Sequence, residues 1–165
     1  MTRARTCLGG SILILVLVLA QPVRAFQNEP DDCRGIKWGT NYDELKGFTK
    51  VSTQGSLDYY TKKNEEMTFG DARLDMVVYV FYEKEFCGVV LNFKSSPNFQ
   101  IVKTTLFDWY GKGRQPNKYK DEYRWSGTSV AVTLEYDDIT QKGTVIYYYI
   151  PIYERKQRAD QRQNR

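Results

Sequence analysis

The sequence predicts an α+β domain in which an antiparallel sheet of about five to seven strands packs on one main helix. Three observations lead to this prediction. A run of β-branched and aromatic residues at 74–82 is followed at 87–93 by apolar side chains at every second position. A single amphipathic helix is predicted over 96–111, and two more β-prone runs lie at 130–136 and 144–152.

The first two runs predict an antiparallel hairpin at the centre of the fold. Residues 74–82 are apolar on both faces of an extended chain, which is typical of a covered central strand. Charged residues at 83–85 interrupt the run and predict the turn. The second strand places four residues on one face, namely Cys87, Val89, Leu91 and Phe93.

The helix prediction rests on its two ends and on its apolar stripe. Ser96 can accept hydrogen bonds from the first free N–H groups, and Pro97 suits the first helical position. Gly111 can adopt the left-handed conformation that ends a helix. The stripe consists of Phe99, Val102, Leu106 and either Trp109 or Tyr110.

Less regular structure is predicted before residue 58. Residues 26–32 are a polar lead-in, followed by the segment GIKWGT. Thr40 can cap a short helix that Gly47 ends. Residues 48–57 are polar and predict a loop or an irregular edge. Residues 58–61 and 67–69 predict two short strands that pair with each other.

The second half of the chain predicts strands that follow the helix. Residues 123–125 form a short strand, and the alternation over 130–136 predicts a strand buried on one face. The last strand covers 144–152, and Pro151 marks its end because proline has no N–H to donate to a ladder.

Residues 1–25 predict a secretory signal peptide. Two arginines precede an apolar stretch at 8–20, and Val23-Arg24-Ala25 is a cleavage motif that places the cut between Ala25 and Phe26. The alternative is a retained membrane anchor, but about 13 apolar residues are fewer than the ~18 that a spanning helix needs. We therefore expect a periplasmic or secreted protein with no transmembrane segment in its mature chain.

The mature chain predicts one α+β domain at 26–153 and a basic tail at 154–165 that is disordered or a frayed helix. Removal of the three arginines in residues 1–25 lowers the formal charge from +4 to +1. Most of the remaining positive charge lies in the tail, so the charge of the chain does not indicate a nucleic-acid partner.

Two cysteines remain in the mature chain, Cys33 and Cys87. In an oxidising compartment they can form one disulfide. Cys87 also lies on an apolar strand face, where it can equally be a small buried hydrophobic residue. The sequence leaves both alternatives open, because it does not give the distance between the two Cα atoms.

Three segments resemble a group of small bacterial secreted proteins of uncharacterised function. They are the opening GIKWGT, the hairpin YVFYEKEFCGVVLNF and the helix NFQIVKTTLFDWYGKG. Proteins of that group carry a G-I-x-W-G-T start and a hairpin-helix unit that ends in YG. The resemblance implies a location in the cell envelope, and it implies neither an activity nor a functional residue.

The chain contains no histidine, which excludes histidine-based nucleophile systems and histidine zinc sites. Two cysteines are too few for a tetrahedral cysteine site, so no metal or other cofactor is expected. Three adjacent carboxylate pairs remain as candidates for glycoside hydrolysis, namely Asp31-Asp32, Glu65-Glu66 and Asp137-Asp138. All three lie in predicted turns, where acidic residues commonly bond to the local backbone.

The abundance of tyrosine and tryptophan predicts a binding surface, or alternatively an aromatic core. We expect an exported, non-enzymatic binding or interaction domain of unknown ligand, whose partner is an unknown envelope protein or polymer. The predicted ligand-binding residues are Tyr123, Trp125 and Tyr148, on the sheet face opposite the helix. The alternative function is a cell-envelope carbohydrate hydrolase that uses paired carboxylates.

Overall fold

The computed structural model of this protein describes residues 26–163. Residues 1–25, in which the sequence predicts a signal peptide ending at Ala25, lie outside the described residues. Phe26, the residue predicted to follow the cleavage site, is the first described residue.

The described chain contains eleven strands, one 3₁₀ turn and two α-helices. In chain order they are β1 (Asp32–Cys33), β2 (Ile36–Lys37), the 3₁₀ turn (Tyr42–Glu44), β3 (Phe48–Gln54), β4 (Leu57–Lys62), β5 (Thr68–Phe69), β6 (Ala72–Arg73), β7 (Met76–Tyr82), β8 (Glu85–Lys94), α1 (Ser96–Tyr110), β9 (Asp121–Ser126), β10 (Val130–Asp137), β11 (Lys142–Tyr149) and α2 (Ile150–Gln163).

Seven of the strands form one antiparallel sheet in the order β3-β4-β7-β8-β11-β10-β9. The α+β class and the antiparallel sheet are therefore confirmed. The first four strands follow one another as a meander. Helix α1 then connects β8 to β9 at the far edge, and the chain returns through β10 to β11, which pairs with β8.

The hairpin β7–β8 lies near the middle of the sheet, and its side chains are buried on both faces. On one face Val89, Leu91 and Phe93 belong to the same cluster as the buried residues of α1. On the other face Val80 and Cys87 lie in a second, smaller cluster. The prediction that Cys87 shares a face with Val89 was wrong, because a register shift between Val80 and Phe81 leaves Cys87 unpaired in a bulge. The apolar character of 74–82 on both faces reflects these two clusters.

Helix α1 buries the predicted stripe, and Tyr110 rather than Trp109 completes it. Phe99 stacks on Tyr136 of β10, with ring centroids 4.4 Å apart. The helix ends at Gly111, whose φ of 78° is in the left-handed region. The residue before the first turn is Ser95 rather than Ser96, and its side chain makes no capping hydrogen bond.

Several local predictions before β7 were wrong. The strand at 67–69 does not pair with 58–61, because Thr68–Phe69 pairs with Ala72–Arg73 in a hairpin of its own. The short helix is a single 3₁₀ turn capped by Asn41, whose side chain accepts a hydrogen bond from the N–H of Asp43. For 48–57 the alternative of an irregular edge is confirmed, because the chain forms edge strand β3 with a bulge between Lys50 and Ser52.

The described part of the predicted tail, residues 154–163, is helical, which was one of its two alternatives, and the last strand ends at Tyr149. Helix α2 begins at Ile150, with Pro151 in the first turn, where its missing N–H costs nothing. Ile152 is buried in the second cluster beside Val80, Tyr82 and Cys87. The helix therefore lies on the sheet face opposite α1, and a domain boundary at residue 153 would cut through it.

Cys33 and Cys87 are both free and buried, so the disulfide alternative is wrong. Cys33 lies in the cluster that includes α1, whereas Cys87 lies in the cluster that includes Ile152. The sheet separates the two clusters. Burial raises the pKa of each thiol to about 12.

Candidate ligand-binding cavity

The three predicted ligand-binding residues do not form one surface. Tyr123 and Trp125 are 8% and 3% exposed and lie on the same face as α1, where both contact Phe107. Tyr148 lies on the opposite face, and its ring centroid is 5.1 Å from that of Tyr153 in α2. The predicted placement of all three on the face opposite α1 was wrong for Tyr123 and Trp125, because alternation shows which residues share a face but not which face a helix covers.

The side chains of the predicted acidic pairs mostly form hydrogen bonds with nearby groups of the protein. Asp137 Oδ1 accepts hydrogen bonds from the N–H groups of Thr140 and Ile139, and these bonds lower the pKa of Asp137. Asp137 and Asp138 line an open cleft of about 710 Å³. Asp137 therefore stays ionised at neutral pH and is unsuited to donate a proton as a general acid.

A different site lies at the C-terminal end of α1. It is a cavity of about 460 Å³ between the β1–β2 hairpin, the β5–β6 hairpin and the last turn of the helix. We call it the α1 cavity. Its aromatic and apolar walls are formed by Phe69, Leu91, Trp109, Tyr110 and Tyr147, and its charged lining groups are Asp32, Arg34 and Glu66.

Trp109 forms the most accessible wall of the α1 cavity. Its side chain is 45% exposed, which is unusual for a residue of this size. The ring of Phe69 meets it edge to face, with centroids 5.0 Å apart. Gly70 allows the β5–β6 hairpin to approach α1 closely, because a Cβ atom there would lie 2.9 Å from Thr105 Oγ1.

Two buried tyrosines, Tyr110 and Tyr147, line the cavity, and their hydroxyl groups face each other. The oxygens of Tyr110 and Tyr147 are 3.5 Å apart, a longer separation than the ~2.7–2.8 Å of an ordinary O–H···O hydrogen bond. Burial raises the pKa of both residues, most strongly for Tyr147. Both hydroxyls are therefore protonated at neutral pH, and each retains capacity to bond to a guest.

The charged wall is held in place by Arg34, which connects two hairpins. Its Nε donates to Glu65 Oε1 at 2.8 Å, and Glu65 Oε2 accepts from the hydroxyl of Tyr79 at 2.7 Å. Further donors of Arg34 reach the backbone carbonyls of Glu66 and Thr68. Burial alone would lower the pKa of Arg34, but its bond to Glu65 outweighs burial and raises it.

Residues at the start of the described chain support the same end of α1. The ring of Phe26 meets that of Tyr110 edge to face at 4.9 Å, and the N–H of Gln27 donates to the Tyr110 carbonyl at 3.1 Å. Glu29 accepts hydrogen bonds from the backbone N–H groups of Thr128, Ser129 and Val130. The segment predicted as a polar lead-in is therefore an integral part of the fold.

The sequence predicted Asp32 and Glu66 as members of two candidate carboxylate pairs, but it predicted neither the cavity nor its other lining residues as a site. One local signal was present, since Asp32 followed three residues later by Gly35 is typical of a tight turn. In the structure Asp32 Oδ1 accepts from the N–H of Gly35 at 3.3 Å, and this turn presents Arg34. Nothing in the sequence indicates that Arg34 pairs with Glu65.

Two further observations concern residues 26–163. Within them no three or more cysteine, aspartate or glutamate side chains are grouped closely enough to bind a metal ion. No helix in that part of the chain has the length and apolar character needed to cross a bilayer.

Comparisons of the chain with protein-family models, with curated proteins and with solved structures each found no match.

Proposed function

We propose that this protein is an exported, non-enzymatic binding domain and that the α1 cavity is its ligand site. The observation that carries the proposal is an aromatic cavity lined by two protonated tyrosines and braced by the Arg34–Glu65 ion pair. Small-molecule sites are concave and mostly apolar, with a few fixed polar groups and volumes of about 300–1,000 Å³. The volume of about 460 Å³ agrees with that range.

Export is part of the proposal, and the composition of residues 1–25 supports it. The resemblance to bacterial secreted proteins with a GIxWGT start supports the same location. The mature protein would be periplasmic or secreted, and its ligand would be a free small molecule or an end group of an envelope protein or polymer. Sequencing the N-terminus of the protein from its native cells should give Phe26 as the first residue.

The binding site can be tested by NMR, because the chain has three tryptophans and only Trp109 lines the cavity. The indole N–H of Trp38 donates to the Pro30 carbonyl, and that of Trp125 donates to the Gly111 carbonyl. A fragment that enters the cavity should shift the Trp109 indole signal and leave the other two in place. A fragment library that produces no selective shift of Trp109 would refute the proposed site.

The alternative function is a carbohydrate hydrolase. One observation favours it, since Asp32 and Glu66 line the same cavity and approach it from different hairpins. Two carboxylates that face a sugar from either side are the usual hydrolytic arrangement. Release of reducing ends from envelope polysaccharide, abolished by either Asp32→Asn or Glu66→Gln, would support hydrolysis. Such a result would replace the binding proposal.

A further inference from the structure

The charges around the α1 cavity are unbalanced. Asp32 and Glu66 line it, and within residues 26–163 neither side chain forms an ion pair with a lysine or arginine. Arg34 is the one cationic side chain in the lining, and its guanidinium is already paired with Glu65 at 2.6 Å between Nη2 and Oε1. The lining therefore presents an excess of negative charge to a guest.

This balance disfavours an anionic guest. A carboxylate or phosphate would approach two like charges, and it would have to compete with Glu65 for the guanidinium of Arg34. Glu65 and Arg34 are only 10% and 15% exposed, so water screens their interaction weakly and the pair is hard to displace. An ammonium group would instead be attracted by the carboxylates of Asp32 and Glu66, each of which accepts one neutral hydrogen bond, from Gly35 and Thr68 respectively.

The aromatic walls of the α1 cavity also favour a positively charged guest. Trp109, Phe69, Tyr110 and Tyr147 surround the space, and aromatic ring faces attract cations within about 6 Å of the centroid. Tryptophan is the strongest of these partners. The hydroxyl oxygens of Tyr110 and Tyr147 can also accept a hydrogen bond from an N–H donor.

We infer that the α1 cavity selects an organic cation, an ammonium group carried on a compact apolar or aromatic body. This inference rests on the proposed function and adds the ligand class to it. The ammonium lies toward Asp32 and Glu66, and the apolar body lies against Leu91 and the rings. A free amine and an amine-bearing end group of an envelope polymer share this chemistry.

The test uses three probes that share one ring and differ in charge: benzylammonium, benzyl alcohol and benzoate. Each is titrated into the protein at pH 7 and low salt, and the dissociation constant is read from the Trp109 indole signal. We expect benzylammonium to bind about tenfold more tightly than benzyl alcohol. Benzoate should bind more weakly than the alcohol, and added salt should weaken only the cation.

Variants identify the source of the preference. Asp32→Asn and Glu66→Gln should each reduce the advantage of benzylammonium over benzyl alcohol by about threefold while leaving the affinity of the alcohol unchanged. Asp138→Asn is the matched control, because this acidic residue lies in the β10–β11 turn, away from the cavity lining. It should change neither affinity.

The outcomes separate the two proposals. Equal affinities for the cation and the alcohol, both read from Trp109, would overturn the charge inference and leave the α1 cavity as a binding site. Tightest binding of benzoate would also overturn the charge inference and leave the α1 cavity as a binding site. No selective shift of Trp109 with any probe would overturn the charge inference, and the fragment library then decides the proposed site. The affinity for an amine-bearing envelope polymer, compared with the affinity for the corresponding free amine, then shows which of the two is the source of the ligand.

Discussion

Arg34 and Glu65 are 31 residues apart in the chain, yet their side chains form an ion pair of 2.6 Å that is largely shielded from water. The pair joins the β1–β2 turn to the segment that precedes β5. Tyr79 of β7 donates to the same carboxylate and anchors it to the central sheet. One wall of the α1 cavity therefore depends on a contact between distant parts of the sequence.

Replacement of Arg34 by methionine should be strongly destabilising. The Glu65 carboxylate would remain shielded from water without its cation, and breaking a buried ion pair costs about 3–5 kcal/mol. Lys84→Met is the matched control, because the Lys84–Asp43 pair is more than half exposed and should contribute less than about 1 kcal/mol. Urea unfolding measures both values. Equal losses of unfolding free energy for the two variants would show that Arg34 does not stabilise the fold through its pair with Glu65.

Glu29 should make stability depend on pH. Burial would raise its pKa, but hydrogen bonds from Thr128, Ser129 and Val130 outweigh burial and lower the pKa below its ordinary value of 4.5. A carboxyl whose pKa is lowered on folding contributes stability above its unfolded pKa, and this contribution is lost as the pH falls through its folded pKa. As the pH falls below about 4.5, the free energy of unfolding of the unsubstituted protein should therefore decrease more steeply than that of the Glu29→Gln variant.

At pH 7 the Glu29→Gln variant should be less stable by about 1–2 kcal/mol, because it weakens charge-assisted hydrogen bonds. Glu44→Gln is the control, since that side chain is exposed and makes no hydrogen bond within residues 26–163. Unfolding curves between pH 3 and pH 7 give the comparison. Parallel curves for the protein and Glu29→Gln would contradict this role.

Ile152 should be the residue that attaches α2 to the sheet. It is 4% exposed and packs beside Val80, Tyr82 and Cys87. Ile152→Ala should cost about 2–3 kcal/mol through the lost apolar contact and the cavity that remains. Val51→Ala is the control, because Val51 is 54% exposed and its truncation should change stability by less than ~0.5 kcal/mol. A similar small effect for Ile152→Ala would show that the helix does not dock in solution.

Cys33 and Cys87 should be unreactive while the protein is folded. Both thiols are buried, and burial raises the pKa of each to about 12, so little thiolate exists at pH 8. In protein that lacks residues 1–25, an aromatic disulfide reagent should label two thiols, and only after unfolding. Reducing agent should leave the thermal midpoint unchanged. A midpoint that falls on reduction would reveal a disulfide that this structure does not contain.

The elements that the sequence predicted well are those with long, regular patterns. The stripe of α1 spans about three turns, and in β10 the alternating residues Val130, Val132, Leu134 and Tyr136 are all buried. The pairing of Thr68–Phe69 with Ala72–Arg73 has only two residues on each side, too few for a pattern. The cavity eluded prediction for the same reason, since it is assembled from turns and helix ends.

Helix α2 shows why composition was misleading in the tail. After Ile152 and Tyr153 the helix is almost entirely polar, and that composition is typical of disorder. Two i,i+4 ion pairs support the helix, Glu154–Arg158 and Lys156–Asp160. Arg155 adds an ion pair to Glu85 in β8. An overall count of charges does not reveal such pairs, because they depend on the spacing of residues along the helix or on contacts between the helix and the sheet.

The position of β11 has a consequence for how the chain folds. Among the strands of residues 26–163 it is the last in chain order, yet it lies between β8 and β10, so the sheet is complete only after β11 has inserted between them. Until residue 149 is available, β8 is an open edge that can pair with other chains. The high sequence separation of the pairs between β8 and β11 predicts slow folding. Chains truncated before β11 should therefore aggregate rather than form a smaller sheet.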